Sequence, residues 1–145
     1  MLDTNIVSLA EARRRHRAMA VADWLERNAQ HLYLSAMSLG EIEAGILKLS
    51  REKKAARAGE LMVFRDRIIT DFGERVLPMD TAVALAAARL RESLLPHTIE
   101  LADLIIAATA HRHGLTILTA NAKHFRALPV PSVNPLERLP SDEVD

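Results

Sequence analysis

The sequence predicts an α/β fold built on a parallel sheet, and three observations support this prediction. Short apolar runs with β-like alternation are interspersed with longer segments of helical periodicity, a pattern typical of parallel strands joined by helical crossovers. The chain has 145 residues, of which 49% are hydrophobic and 26% charged, and this suits one globular domain with a core. It contains no internal repeat and no interdomain linker. We therefore expect a single domain over residues 1–140.

The first half of the chain predicts two strands and three helices. In order, they are a strand ending within Met1–Ile6, a helix over Val7–Asn28, the alternating strand His31–Ser35, and helices over Ser38–Leu49 and Lys53–Phe72. The last two helices are separated only by a short charged turn. They are expected to form a helical hairpin near residues 38–72.

The second half continues the alternation of strands and helices. Its predicted elements are the strand Arg75–Pro78, the helix Asp80–Leu94, the apolar helix Glu100–His113, the strand Leu115–Thr119, a short helix through Phe125 and an edge strand over Val130–Val133. Gly114 suits the left-handed residue that ends a helix. The acidic tail Ser141–Asp145 is expected to be disordered.

The overall charge does not indicate a class of partner. Nineteen basic and nineteen acidic residues give a formal net charge of zero, so nucleic-acid binding would depend on local patches. The absence of cysteine excludes disulfides, thiolate zinc sites and cysteine nucleophiles, and it fits a reducing compartment. Charged residues interrupt every apolar stretch before about 18 residues and no signal-peptide pattern is present, so we predict a cytoplasmic protein without a membrane span.

Four potential oxygen ligands, Asp3, Glu41, Asp103 and Asn121, lie far apart in sequence, each beside an apolar segment. A buried carboxylate is costly unless it is paired or holds a cation. The predicted layout places three of these residues just past the ends of strands, and the fourth opens a helix that crosses the same edge. Parallel sheets bind ligands at that edge. The four side chains therefore predict a shared metal site.

Asp103 contributes most to this prediction, because its helix is apolar around most of its circumference. The helix dipole favours an acid in the first turn by about 0.3–1 kcal/mol, whereas burial of an anion costs several. Asp103 therefore requires an arginine, a lysine or a metal ion. Hard oxygen ligands suit Mg²⁺ or Mn²⁺.

Each candidate also has a purely structural interpretation. Asp3 could cap a turn with Thr4 and Asn5, since these side chains bond nearby backbone amides. Glu41 could belong to a capping box with Ser38, and Glu43 is a rival acid on another face of the same helix. Asn121 could serve only as an N-cap.

The candidate residues lie in four motifs that together resemble the PIN-domain ribonucleases, and in particular the VapC and FitB-like toxins of bacterial toxin–antitoxin pairs. The motifs are LDTNI at residues 2–6, SAMSLGEIEAG at 35–45, ADLIIAATA at 102–110 and LTANAKHF at 118–125. They occur in the family's order, at suitable spacing, and span nearly the whole chain.

The resemblance implies a fold and a set of site residues. The fold would be a three-layer α/β/α sandwich around a parallel sheet. Asp3, Glu41 and Asp103 match the family's acidic metal-site positions, and Asn121 matches a fourth position that is Asp or Asn in relatives. The sequence departs from the family in having only Met1 and Leu2 before Asp3, and in having His124 where relatives often have an acid.

The resemblance also implies a function. The chain would be a Mg²⁺-dependent endoribonuclease, with Mn²⁺ as an alternative ion, that cuts an RNA phosphodiester and leaves a 5′-phosphate. It would act as a toxin, form a homodimer and be inhibited by a cognate antitoxin that also binds DNA. Residues considered for RNA contact are Arg13, Arg14, Arg15, Arg17, Lys48, Arg51, Lys53, Lys54 and Arg57, although such charge runs also form ordinary solvated helix faces.

Two other functions are compatible with the sequence. One is a noncatalytic module with a vestigial acidic site, which would bind a partner's amphipathic segment through a surface around Ile46, Leu49, Leu61 and Phe64. The other is a PIN nuclease that is not a toxin. A histidine base is not required in either nuclease, and His111 and His113 are explained by the dipole at the end of their helix.

Overall fold

A parallel sheet forms the centre of the molecule, which the computed structural model describes over residues 1–11, 16 and 18–141. Leu2 forms parallel bridges to both Leu34 and Leu118. The strands are β1 (Leu34–Ser35), β2 (Val76–Leu77), β3 (Ile117–Leu118) and β4 (Ser132–Val133), with β1 paired to β2 and β3 to β4, both in parallel. The order across the sheet is therefore β2, β1, Leu2, β3, β4. The predicted parallel sheet is confirmed, although each strand is shorter than the run that predicts it.

Six α-helices surround this sheet in the described part of the chain. They are α1 (Thr4–Val7), α2 (Met19–Arg27), α3 (Ala36–Arg51), α4 (Ala55–Phe72), α5 (Thr81–Leu94) and α6 (Leu101–Arg112). Short 3-10 turns cover Ser8–Ala10, Ala29–His31, Gly73–Arg75 and Ala122–His124. His31 and Arg75, both predicted in strands, lie in two of these turns.

The helices pack on both faces of the sheet, and each face has its own buried cluster. One cluster joins α5 and α6 to the sheet and includes Val83, Ile106 and Phe125. The other cluster packs the four helices α1, α2, α3 and α4 against the sheet, and it includes Trp24 and Ile42. Helices on two faces of a parallel sheet make three layers, so the predicted α/β/α sandwich is confirmed.

The helix predicted over Val7–Asn28 is wrong as a single element. The Asp3 side chain accepts a hydrogen bond from the Thr4 backbone N–H, so a helix begins directly after the first bridge of the sheet. This helix α1 ends at Val7, and α2 begins only at Met19. The arginines at positions 13, 14, 15 and 17 lie outside the described residues, as do residues 142–145 of the predicted tail.

Helix α3 begins earlier than predicted, and this changes the interpretation of Ser38. Ser35 is the N-cap, with an extended backbone and a side chain that accepts from the Met37 N–H. Ser38 is therefore inside the helix and fully buried, so it cannot form a capping box with Glu41. That structural interpretation of Glu41 is wrong.

Helices α3 and α4 form the predicted hairpin. Their facing sides meet in the second buried cluster through Ile42, Ile46, Ala58 and Ile68. At the other side of the sheet, Gly114 follows α6 with a φ of +63°, which confirms its predicted left-handed conformation. No helix in the described residues is long and apolar enough to cross a membrane.

Candidate metal centre

Asp3 lies directly after the central bridge of the sheet, where its carboxylate is held by three donors. Its exposure is only 5%. Oδ1 accepts the Thr4 backbone N–H at 2.7 Å, and Oδ2 accepts the Thr119 hydroxyl at 2.7 Å and the Asn5 amide at 2.9 Å. Such bonds stabilise the ionised form. Asp3 is therefore a buried carboxylate with a fixed orientation.

Asn5 and Thr119 connect this carboxylate to the end of β3. Asn5 Oδ1 accepts the Ala120 backbone N–H at 3.1 Å, and its amide nitrogen lies 3.3 Å from the Thr119 hydroxyl. Thr119 Oγ1 in turn accepts the Asn121 backbone N–H at 3.0 Å. The first and last motifs therefore meet at one edge of the sheet, as the predicted layout requires.

Glu41 reaches the same edge from the second turn of α3. Its Oε2 accepts a hydrogen bond from the Thr4 hydroxyl, so Thr4 binds both Asp3 and Glu41. The rival acid Glu43 instead forms a salt bridge with Arg65 on α4. This contact leaves Glu41 as the acid of α3 that faces the site.

Asp103 lies in the first turn of α6, as predicted, but it is less buried than the apolar helix indicates. Its side chain is 20% exposed, and its Oδ2 lies 3.2 Å from Nδ1 of His124, whose side chain is 46% exposed. A tight turn, Ala122–His124, brings His124 to this position. The partner of Asp103 is therefore a histidine, which was not among the partners expected from sequence.

The three carboxylates repel one another. Burial raises the pKa of Asp3 above its ordinary value, and the charge of Asp103 raises it further. Burial likewise raises the pKa of Glu41, with additional contributions from Asp3 and Asp103. Within residues 1–11, 16 and 18–141, no lysine or arginine forms a salt bridge with any of these three acids. The centre thus concentrates negative charge that no described lysine or arginine pairs.

Asn121 lies at the rim of this centre. It is exposed and precedes the turn Ala122–His124, but its side chain makes no capping hydrogen bond. The interpretation of Asn121 as a side-chain N-cap is therefore wrong. Its backbone position next to Thr119 is compatible with an indirect role through water.

Sequence reasoning did not assign a site role to Thr4, Asn5 or Thr119. From sequence, Thr4 and Asn5 are explained as turn residues and Thr119 as the end of a strand. A signal for Thr119 was present, because a hydroxyl at the buried end of a parallel strand needs a polar partner. The contact between Thr4 and Glu41 has no local signal, since 37 positions separate the two residues.

The donor set of the centre fits a hard divalent cation. Among the described residues, no group of three or more His, Asp or Glu side chains is arranged to hold a metal ion. Mg²⁺ does not require such a cage, because it retains several waters and binds through one or two carboxylates. The mutual repulsion of Asp3, Glu41 and Asp103 is the electrostatic arrangement that a cation relieves.

The fold and this constellation define a class of protein. Residues 1–130 match the profile of the PIN domain, and the chain belongs to the PIN domain family. The chain is 35% identical over 138 residues to Toxin FitB of Neisseria gonorrhoeae, a match that covers 93% of this chain and 96% of that protein. It is 29% identical over 144 residues to VapC ribonuclease Y4jK of Sinorhizobium fredii, with coverage of 94% and 97%.

A solved structure shows the same similarity in three dimensions. The chain superposes on FitAB bound to an IR36 DNA fragment with a TM-score of 0.73 and 30% identity, covering 93% of this chain and 94% of the other. The predicted resemblance to PIN proteins of the VapC and FitB type is confirmed.

Proposed function

We propose that this protein is a Mg²⁺-dependent endoribonuclease that acts in the cytoplasm as the toxin of a toxin–antitoxin pair. Asp3, Glu41 and Asp103 are the metal-binding and catalytic residues, and Asn121 acts at the site through water. The observation that carries the proposal is the convergence of three mutually repelling carboxylates from three separate segments. The ribonuclease names of VapC relatives support RNA as the substrate.

In this proposal the acids of the centre bind the metal ion, and the hydrogen-bond donors around Asp3 orient its carboxylate. Thr119, Asn5 and Thr4 hold the Asp3 carboxylate in place, so Asp3 itself needs little reorganisation when a cation binds. The bound Mg²⁺ would lower the pKa of a water and offset the charge that develops on the scissile phosphate. Asp103 and Glu41 are more exposed than Asp3, so they would face an incoming RNA strand. In-line attack by the water would leave a 5′-phosphate.

The structure favours some of the basic residues considered for RNA contact over others. Lys48, Arg51 and Lys53 are exposed and form no salt bridge with another described residue. Lys54 pairs with Glu52, and Arg57 makes a bidentate ion pair with Glu11. We therefore assign RNA contact first to the unpaired group. The arginines at positions 13, 14, 15 and 17 remain predictions outside the described residues.

A groove between α2 and α4 is the proposed binding surface for the antitoxin. Its volume is about 1050 Å³, and its apolar lining includes Leu25, Val63, Phe64 and Phe72. Phe64 belongs to the surface considered from sequence, whereas Ile46 is buried in the core and cannot contact a partner. FitAB has been solved as a complex bound to DNA, which supports a DNA-binding antitoxin as the occupant. A homodimer of the toxin is part of the same proposal.

The proposal is tested by incubating purified protein with a mixed RNA pool in Mg²⁺, Mn²⁺ or EDTA. Wild-type protein is expected to make cuts with 5′-phosphate ends in either metal and none in EDTA. Asp103→Asn is expected to abolish the cuts, whereas Asp23→Asn, a matched change on an exposed residue of α2, should retain them. Both variants are compared with wild type by circular dichroism to verify folding.

Two outcomes would contradict the nuclease. Cuts that persist in EDTA or in Asp103→Asn would show that the acidic centre does not catalyse them. A folded wild-type protein that binds its antitoxin but neither Mn²⁺ nor RNA would instead be a noncatalytic module with a vestigial site.

A further inference from the structure

A run of tight turns over residues 121–128, here called the rim turn, follows β3 at the edge of the candidate metal centre. The backbone carbonyls of Asn121, Ala122 and Phe125 accept the N–H groups of the residues three positions further on, at 2.9, 3.1 and 3.0 Å. In a chain that turns in this way, side chains three positions apart lie on the same side. The rim turn therefore has sides that repeat every third residue.

Burial in the rim turn follows this period of three. Phe125 and Leu128 are buried in the cluster that joins α5 and α6 to the sheet. Lys123 and Arg126 are exposed, and neither forms a salt bridge with another described residue. The buried side anchors the rim turn in the core, and another side presents two unpaired cations to solvent.

The rim turn is attached to two of the acids. Asn121 donates its backbone N–H to Thr119 Oγ1 at 3.0 Å, and the Thr119 hydroxyl donates to Asp3 Oδ2 at 2.7 Å. Further along, Nδ1 of His124 lies 3.2 Å from Asp103 Oδ2. These contacts fix the backbone that carries the two cations beside the acidic centre.

We propose that Lys123 and Arg126 bind backbone phosphates of the RNA strand next to the bond that is cut. This inference rests on the proposed function, because it concerns the substrate of the same centre. Three carboxylates repel an RNA strand, so cations beside them are needed to hold its phosphates.

The rim turn is closer to the acids than the basic group on α3. Lys48, the nearest member of that group along α3, lies seven positions beyond Glu41, about 10 Å at 1.5 Å per residue. Lys123, in contrast, directly precedes the histidine that contacts Asp103. The rim turn therefore suits the phosphates at the cut, and the α3 group suits more distant ones.

The composition of the exposed side favours RNA over an acidic protein segment. A phosphate needs only charged donors, which lysine supplies as a point charge and arginine as a fork of N–H groups. An amphipathic protein segment would also need an apolar surface, but the large apolar side chains of the rim turn, Phe125 and Leu128, are buried. Phosphate contacts carry no sequence information, so the contribution of the two cations should be the same for different RNA sequences.

The test is the affinity of three unrelated fluorescent single-stranded RNAs, measured by anisotropy in EDTA between 50 mM and 1 M KCl. Each of Lys123→Gln and Arg126→Gln should weaken binding of all three RNAs, and the double variant should weaken it further. A single-strand phosphate contact contributes about −0.7 to the slope of log affinity against log salt, so each lost contact should cost about eightfold at 50 mM KCl relative to 1 M.

Two control variants separate charge beside the centre from charge elsewhere. Lys123→Arg retains the charge and should retain the affinity. Arg112→Gln removes an exposed cation without a salt bridge at the other end of α6, nine positions from Asp103 and thus about 14 Å away, and it should bind RNA as wild type does. Circular dichroism establishes that each variant is folded.

The possible results separate this inference from the proposed function. Equal RNA affinity and salt dependence in wild type and in the double variant, with Mg²⁺-dependent cutting intact, would overturn the phosphate contact and leave the nuclease standing. A loss confined to one RNA sequence, or weaker antitoxin binding with unchanged RNA affinity, would also overturn it. If wild type binds RNA without cutting it in Mg²⁺ and the double variant binds weakly, the nuclease fails and the phosphate contact is supported.

Discussion

Thr4 connects two of the three acids through a single residue. Its backbone N–H donates to Asp3 Oδ1, and its hydroxyl donates to Glu41 Oε2. The hydroxyl lowers the pKa of Glu41, in opposition to burial and to the neighbouring charges. Thr4 therefore favours the ionised form of Glu41 and directs its carboxylate towards Asp3.

Thr4→Val should raise the pKa of Glu41 and weaken Mn²⁺ binding, because valine has nearly the same shape but no hydroxyl to donate. The free energy of unfolding should fall by about 1 kcal/mol, the usual net value of such a hydrogen bond. The Glu41 carboxyl is followed by NMR titration, and Mn²⁺ affinity by calorimetry. Thr4→Ser retains the hydroxyl and is the control. Equal Glu41 pKa values in the valine and serine variants would show that the hydroxyl has no such effect.

The acids of the site could be predicted from the sequence, whereas the residues that orient them could not. Asp3 and Asp103 stand out because apolar residues surround them in the chain, and burial of an isolated charge is costly. The hydroxyls of Thr4 and Thr119 are unremarkable in sequence, since a threonine near a helix start or a strand end has many local explanations. Their function depends on partners 37 and 116 positions away.

At the scale of the secondary-structure elements, the start of α3 determines what Glu41 can do. Ser35 caps the helix, so Glu41 lies too far along it to return to the first free amides. Ser38 is buried and its hydroxyl has no partner among the described residues. The Ser35 hydroxyl therefore stabilises the start of the helix, whereas the Ser38 hydroxyl, about one turn further on, is buried at an energetic cost.

Ser35→Ala should lower the free energy of unfolding by about 1 kcal/mol, because it removes an N-cap acceptor. Ser38→Ala should leave stability unchanged or raise it, because it removes a buried hydroxyl without a partner. Urea unfolding of the two variants and of wild type measures the difference. A larger loss of stability in Ser38→Ala would restore the capping box as the better description of this helix start.

Helices and strands were predicted well where periodicity is strong and poorly where a side chain determines the boundary. The hairpin of α3 and α4 and the apolar helix α6 follow from apolar spacing. The predicted helix over Val7–Asn28 is wrong because α1 ends at Val7 and the backbone is extended at Glu11, before α2 begins at Met19. The role of Asn121 as a side-chain cap is also wrong, since the chain bends there into a tight turn.

At the scale of the whole molecule, burial and mutual repulsion of the carboxylates in the centre oppose folding. Folding brings Asp3, Glu41 and Asp103 together and raises the pKa values of the first two. In the unfolded chain these charges are apart and hydrated. Assembly of the centre therefore lowers the free energy of unfolding of the metal-free protein.

Without metal, the contribution of Asp3 and Glu41 to the free energy of unfolding should increase as the pH falls. The folded pKa values of Asp3 and Glu41 lie above the ordinary values of 3.8 and 4.5, so the folded state binds protons first as the pH falls. The contribution of these groups to stability therefore rises as the pH decreases through their folded pKa values and levels off below the ordinary ones.

Urea unfolding at several pH values, in wild type and in Asp103→Asn, isolates this effect from other ion pairs. Asp103→Asn removes a source of repulsion, so it should be more stable than wild type near pH 7, and the difference should shrink on acidification. With Mg²⁺ present the trend in wild type should reverse, because protons compete with the cation. A difference that does not change with pH would contradict the coupling of the three acids.

The hydrogen bonds that orient Asp3 and Asn5 join the two ends of the chain, so they can form only late in protein synthesis. The hydrogen bond from Thr119 to Asp3 spans 116 positions, and the bond from Ala120 to Asn5 spans 115. Contacts of such long range close late, because the entropy of the intervening loop opposes them. In a nascent chain that has not yet released residues 117–121 from the ribosome, Asp3 therefore lacks its hydrogen bond from Thr119. Under the proposed function, RNA cleavage by the chain becomes possible only near the end of translation.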